Sequence, residues 1–113
     1  MEEVELLGKT ISTRNGDVKV TKIFIKPTPE ELFAYGIERL SVAAHVRRAV
    51  KGLGREEAVL MPDKLASPIA TRVAVSSINK VYKEMYKQEG FSDRLRKYGV
   101  HTDKNGLFIV RIV

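Results

Sequence analysis

The chain has 113 residues, a formal net charge of +6 and a pI near 9.7, with 43% hydrophobic and 30% charged residues. This length and balance predict one globular domain over residues 1–113 and exclude a disordered chain. The lack of cysteine excludes disulfides, thiol catalysis and cysteine-held zinc.

Other features of the sequence bear on the cellular location of the protein and on the temperature of its source. The first residues, Met1-Glu2-Glu3, are acidic where a signal peptide would be basic, and no apolar run approaches the length that spans a bilayer. We therefore expect a cytoplasmic protein with no membrane partner. Asn and Gln are scarce while Lys, Glu, Arg, Val and Ile are plentiful, a balance typical of thermophilic proteins.

The first predicted element is a β-hairpin. Residues 3–13 and 18–26 have the composition and spacing of two strands. Between them, Asn15-Gly16 is typical of a type I′ turn, which needs positive φ at both central positions. Lysines on such a hairpin could contact nucleic acid, or could keep an edge strand from pairing with other chains.

The second strand changes phase along its length. Val18 and Val20 face one way, whereas Ile23 and Ile25 face the other, so the alternation slips near Lys22. Either a β-bulge at that point or a strand end buried on both faces would explain the slip.

A single long helix is predicted over residues 28–54. It opens with Thr28-Pro29-Glu30-Glu31, a capping sequence, and it should end at Gly52 or Gly54. An alternative breaks this helix at Ser41, which could cap a second helix over residues 42–51 and create a helix-turn-helix.

The second half of the chain begins with a short apolar run, residues 57–61, which predicts a buried strand. Ser67-Pro68 then resembles a helix start, so we predict a helix over residues 68–88. The alternative is a strand over residues 72–76 followed by a helix that begins at Ile78.

The last elements are shorter. Gly90 should end the preceding helix, and Ser92-Asp93 should cap a short helix over residues 94–98. Residues 101–106 are predicted to form a loop, and residues 107–113 a strand apolar on both faces inside the sheet.

The predicted order is therefore β-β-α-β-α-α-β. This order predicts an α+β fold in which a small mixed or antiparallel sheet, including the N-terminal hairpin, carries two main helices on one face, as a two-layer sandwich.

Basic and aromatic residues concentrate in the second half of the chain. Cations spaced along a surface neutralise phosphates, and aromatic rings beside them can stack on bases. The alternative is that these residues form the solvated face and core edge of amphipathic helices. The predicted nucleic-acid-binding residues are Lys80, Lys83, Lys87, Arg94, Arg96, Lys97, Arg47, Arg48, Arg55, Tyr86 and Phe91.

Evidence for an enzyme is weak in the sequence. His45 and His101 lie far apart, and neither belongs to a recognisable metal-binding or catalytic motif. No phosphate loop, dinucleotide-binding loop or nucleophile elbow is present. We therefore predict no catalytic activity, no cofactor and no metal.

The sequence thus favours a non-enzymatic nucleic-acid-binding protein of low sequence specificity. The alternative is a protein-interaction module or a small accessory subunit of a larger assembly. An exposed sheet edge could also pair two copies as a homodimer.

Overall fold

A computed structural model describes residues 3–34, 36, 41–61, 67–89 and 96–113. The fold is α+β, as predicted. In chain order, the elements of these residues are α1 (Glu3–Leu6), β1 (Thr10–Thr13), β2 (Gly16–Ile23), α2 (Pro29–Ala34), α3 (Val42–Val50), β3 (Glu57–Met61), α4 (Pro68–Glu89), β4 (Tyr98–Asp103) and β5 (Gly106–Arg111).

The strands form one mixed sheet in the order β1-β2-β3-β5-β4. β2 and β3 are parallel, and the other neighbours are antiparallel. The last strand, β5, therefore lies inside the sheet, as predicted. The sheet is curled into a half-barrel and is not the flat layer that a simple sandwich would have.

The two faces of the sheet bury separate cores, because neighbouring residues of a strand point to opposite sides. One core lies between the sheet and helices α3 and α4, so the prediction of two main helices on one face is confirmed. It contains Phe24, Val46, Ala49, Val50, Leu53, Val59, Met61, Ala74, Val75, Ile78, Tyr98, Leu107 and Ile109.

The second core fills the inside of the curl. It is built almost entirely from strand residues, together with one residue of α1. Its members are Leu6, Ile11, Val18, Val20, Ala58, Leu60, Phe108 and Val110. The sheet thus folds over its own side chains, which explains why β3 and β5 are apolar on both faces.

The N-terminal hairpin is shorter than predicted. Residues 3–6 form α1 and not strand, and β1 begins only at Thr10. The turn is also displaced: Thr13 pairs with Gly16, so Arg14 and Asn15 form the connection. Gly16 has a φ of 105°, but Asn15 does not have positive φ, so the type I′ prediction is wrong.

The phase slip in the second strand is a β-bulge, one of the two predicted explanations. The register of β2 against β3 shifts between Val20 and Lys22. Ile23 consequently packs against the same core as Val20. Lys22 instead turns toward α3, where its ammonium donates to the carbonyls of Arg48 (3.1 Å) and Lys51 (3.3 Å).

The single helix over residues 28–54 is wrong, and the break at Ser41 is right. The hydroxyl of Ser41 accepts a hydrogen bond from the backbone N–H of Ala44 at 3.2 Å, which caps α3. Gly36, with a φ of 71°, adopts a backbone conformation that does not continue a right-handed helix. Residues 37–40 of the predicted helix lie outside the described residues.

The predicted ends of that helix are confirmed at both sites. The Thr28 hydroxyl accepts from the N–H of Glu31 at 3.2 Å, and α3 is followed by Gly52 with a φ of 76°. The buried residue of α2 is Leu32, whereas Phe33 is 85% exposed. Helix α2 therefore packs on the core through Leu32 and not through Phe33.

Helix α4 confirms the longer of the two predictions for residues 68–88. The Ser67 hydroxyl accepts from the N–H of Ala70 at 3.1 Å, and the helix is continuous from Pro68 to Glu89. The alternative strand over residues 72–76 is wrong.

Strand β4 was not predicted. Tyr98 to Asp103 pair with β5, where a helix end and a loop were expected. The turn is formed by Lys104 and Asn105, since Asp103 pairs with Gly106. The side-chain amide of Asn79 in α4 fixes the strand start, donating to the carbonyl of Tyr98 and accepting from its N–H, both at 2.8 Å. Residues 90–95, including the predicted cap, lie outside the described residues.

Candidate functional site

Three lysines form one line along α4. Lys80, Lys83 and Lys87 are all exposed. At about 100° per residue they fall within about 60° of one another, and they span about 10 Å of the helix axis. They lie opposite the buried residues Ala74 and Ile78. We call these three residues the lysine row.

The charges of the lysine row are not neutralised by neighbouring carboxylates that the structure describes. Glu84 lies on the same side of α4, but it makes no contact within 4 Å with the ammonium of Lys80, Lys83 or Lys87. Between described side chains, the contact within 4 Å of a basic with an acidic group is that of His101 with Asp103, at 3.0 Å. The row therefore presents positive charge to solvent.

An open groove separates α3 from α4, on the side of α4 that faces away from the lysine row. Its volume is about 390 Å³, and its walls are mainly apolar. Two arginines border it: Arg47 from α3 and Arg96 from the segment before β4. The full lining is Ala43, Arg47, Val50, Ser77, Ile78, Val81, Tyr82, Met85 and Arg96. We call this the α3–α4 groove.

Arg96 is held against an aromatic ring at the edge of the groove. Its guanidinium carbon lies 5.5 Å from the centroid of the Tyr82 ring, within the range of a cation–π contact. Its Nε is buried and has no hydrogen-bond partner among the described residues. The Tyr82 ring also packs against Tyr98, with 6.2 Å between centroids. Arg96 and Tyr82 therefore pack together at the edge of the groove.

The remaining predicted arginines of the first half lie elsewhere. Arg48 is one residue from Arg47, but it borders a different depression with Lys22, Phe24 and Lys51. Arg55 is exposed in the loop between α3 and β3 and does not line the groove. The structure thus brings Arg47 toward α4 but separates it from Arg48.

The predicted aromatic residues have different positions. Tyr86 is half-buried on α4 and does not line the groove, whereas Tyr82 does. Sequence reasoning missed Tyr82 as the better candidate, although its position four residues after the buried Ile78 places it near the core edge. Lys97 is exposed just before β4, and Phe91 and Arg94 lie outside the described residues.

No metal-binding arrangement exists among the described residues: they contain no group of three or more His, Asp or Glu side chains that could hold an ion. His45 is buried on α3, and its Nδ1 has no hydrogen-bond partner in the described part of the chain. The absence of an enzymatic activity and of a cofactor stays a prediction. None of the helices within the described residues is long and apolar enough to cross a membrane.

Comparisons with protein-family models, with curated proteins and with solved structures gave no match for this chain.

Proposed function

We propose that the protein binds nucleic acid, DNA or RNA, with low sequence specificity and without an enzymatic activity. The observation that carries the proposal is the lysine row, three exposed cations in line that make no ion pair with a described carboxylate. Over about 10 Å one strand of a duplex presents about three phosphates, which matches the three ammonium groups. Such contacts read the backbone and not the bases.

The α3–α4 groove, on the opposite side of α4 from the lysine row, supports a separate part of the interaction. Its apolar walls and the exposed edge of Tyr82 offer a surface on which an unpaired base can pack, as in proteins that bind single strands. Arg47 and Arg96, on its two sides, are placed to hold the phosphates next to that base. Since the chain lacks cysteine, we propose that it acts in the reducing cytoplasm.

A salt titration with charge-reversed variants tests the lysine row. Neutralising three duplex phosphates predicts a slope of log affinity against log salt of about −2.7, to which the arginines add. In Lys83→Glu with Lys87→Glu, binding to labelled oligonucleotides of any sequence should weaken, and the slope should become shallower by about 2.

The matched control is Lys9→Glu with Lys104→Glu. Both lysines are exposed outside α4 and the groove, and the change in net charge is the same. This variant should keep the wild-type slope. Equal losses in the two double variants would mean that net charge, not the lysine row, governs binding, and the proposal would fail.

Arg47→Gln and Arg48→Gln test the groove. The two residues are adjacent and exposed, but only Arg47 lines the groove. We expect Arg47→Gln to weaken single-strand binding by about tenfold, the usual cost of one charge-assisted contact. Arg48→Gln should bind as the wild type does. The reverse result would place the strand on the other side of α3.

A second candidate function is a protein-interaction module, with another protein or a second copy of the chain as partner. It is favoured by Ile69 and Val73, which are 73% and 63% exposed one turn apart on the solvent side of α4. A complex of this kind should tolerate salt, because burial of apolar surface drives it. Val73→Lys should abolish this complex and leave oligonucleotide binding unchanged.

A further inference from the structure

A second cluster of cations lies outside the α3–α4 groove, where the curled sheet comes closest to closing. The turn of the first hairpin approaches β4 there: the side-chain Nδ2 of Asn15 lies 3.7 Å from the position that a Cβ on Gly99 would take. Between the hairpin turn and β4 is a cleft of about 320 Å³, and a smaller one of about 190 Å³ adjoins it beside α4.

Two arginines from distant parts of the chain line both clefts. Arg14 comes from the hairpin turn and Arg72 from the first turns of α4. Both are exposed, and neither donates a hydrogen bond to another described residue. Two guanidinium groups in one small space repel each other unless an anion lies between them.

The other groups around these clefts favour an anion. Among the described residues, neither lining contains an aspartate or a glutamate. The closest acids along the chain are already engaged, Asp17 with Ser12 and Asp103 with His101. Polar groups from several elements complete the walls: Thr13, Asn15, Ser76, Asn79, His101 and Thr102.

We propose that Arg14 and Arg72 form a binding site for a phosphomonoester, the dianionic phosphate group at the end of a larger molecule. Two arginine forks can each donate two parallel hydrogen bonds to such a group, and together they balance its charge. The walls of both clefts are part polar and part apolar, and their volumes are large enough for a phosphate group. Their open mouths would leave the rest of the molecule outside.

The phosphate could belong to a strand end or to a small molecule. Arg72 lies 11 residues before Lys83, which places it on the same side of α4, within about 20° and about 16 Å away. A strand that follows the lysine row would therefore bring its terminal phosphate to this site. That version rests on the proposed function, whereas binding of a small phosphate compound does not.

The first experiment measures the response to inorganic phosphate and to a nucleoside 5′-monophosphate, with chloride at equal ionic strength as reference. Binding should raise the melting temperature and shift the backbone amide signals of Arg14, Arg72 and Gly99. Arg14→Gln or Arg72→Gln should weaken binding by about tenfold each.

Lys104→Gln is the matched control. Lys104 has the same place in the second hairpin turn as Arg14 in the first, but it lines neither cleft. It should respond to phosphate as the wild type does. An equal response in all three variants, or no response in the wild type, would overturn the proposal.

A second experiment separates the two sources of phosphate. If a strand end is bound, a 5′-phosphorylated oligonucleotide should bind more tightly than its 5′-hydroxyl form, and Arg14→Gln should remove that difference. If a small molecule is bound, the protein should respond to the monophosphate, and the two oligonucleotides should bind with equal affinity. Failure of the lysine-row variants to weaken oligonucleotide binding would end the proposed function but leave the response to monophosphate intact.

Discussion

His45 is a buried titratable side chain that does not line the α3–α4 groove. It is 5% exposed on α3, and its ring meets that of Phe24 edge-on with 5.8 Å between centroids. Burial lowers the pKa of His45 from its usual 6.5, and the charges of Lys26 and Arg48 lower it further. The folded protein therefore holds this ring neutral.

This position predicts a loss of stability in mild acid. Because the unfolded chain takes up the proton more readily, the free energy of unfolding should fall as the pH drops below 6.5, toward the lower pKa of the folded state. Denaturant unfolding at a series of pH values measures this change. His45→Phe keeps a ring of similar shape and should flatten the profile.

The other histidine of the chain supplies the control. His101 is partly exposed and contacts Asp103. In His101→Gln the free energy of unfolding should therefore still fall in mild acid, because His45 is unchanged. A decline that persists unchanged in His45→Phe would show that other groups produce it. Local sequence does not show the burial of His45, because the residues packed against it include Phe24, which lies 21 positions earlier.

At the scale of elements, the start of β4 depends on one side chain of α4. Asn79 makes two hydrogen bonds to the backbone of Tyr98, the pairing that a neighbouring strand would make. β4 is an edge strand with β5 on one side. The amide therefore joins the helix layer to the sheet at a point where the sheet itself offers no partner.

Asn79→Ala should destabilise the protein by roughly 2 kcal/mol, because the N–H and the carbonyl of Tyr98 lose their partners in a partly buried place. Asn79→Asp should not restore this stability, since a carboxylate cannot donate to the carbonyl. Thermal or denaturant unfolding measures both. Ser76→Ala, on the solvent side of the same helix, should change stability by less than about 0.5 kcal/mol; a similar cost at both positions would contradict this role of Asn79.

The elements differ in how far local sequence predicts them. Helix α4 and strand β3 were predicted nearly to their ends because their signals are local. A serine cap and a proline mark the start of α4, and a short apolar run forms β3. In the segment after Thr28, local signals allowed either one long helix or a break at the possible cap Ser41, and only the structure decided for the break. Strand β4 has few apolar residues, so its pairing with β5 outweighed its own weak preference.

At the scale of the whole molecule, the curled sheet buries both of its faces. Val59 faces the helices, and the next residue, Leu60, faces the inside of the curl. Both are at most 2% exposed. A two-layer sandwich with one open face would leave Leu60 in contact with water, so this residue distinguishes the two architectures.

Leu60→Ala should therefore destabilise the protein by about 2–5 kcal/mol, as expected for a buried leucine. Denaturant unfolding measures this. Val73→Ala, at a position 63% exposed on α4, should cost less than about 0.5 kcal/mol. A cost for Leu60→Ala as small as that for Val73→Ala would mean that the inner face of the sheet is open.

The sequence alone determined the α+β class, the phase slip near Lys22, the interior last strand and the alignment of the lysine row. The last three depend on residues within one helix or one strand, where spacing decides which side a residue faces. The curl, strand β4 and the position of Arg47 across the groove from α4 were decided by the tertiary structure. The tertiary structure also decided that Arg14 and Arg72, which lie 58 positions apart, line the same clefts. Only the packing of strands and helices from distant segments brings such side chains together.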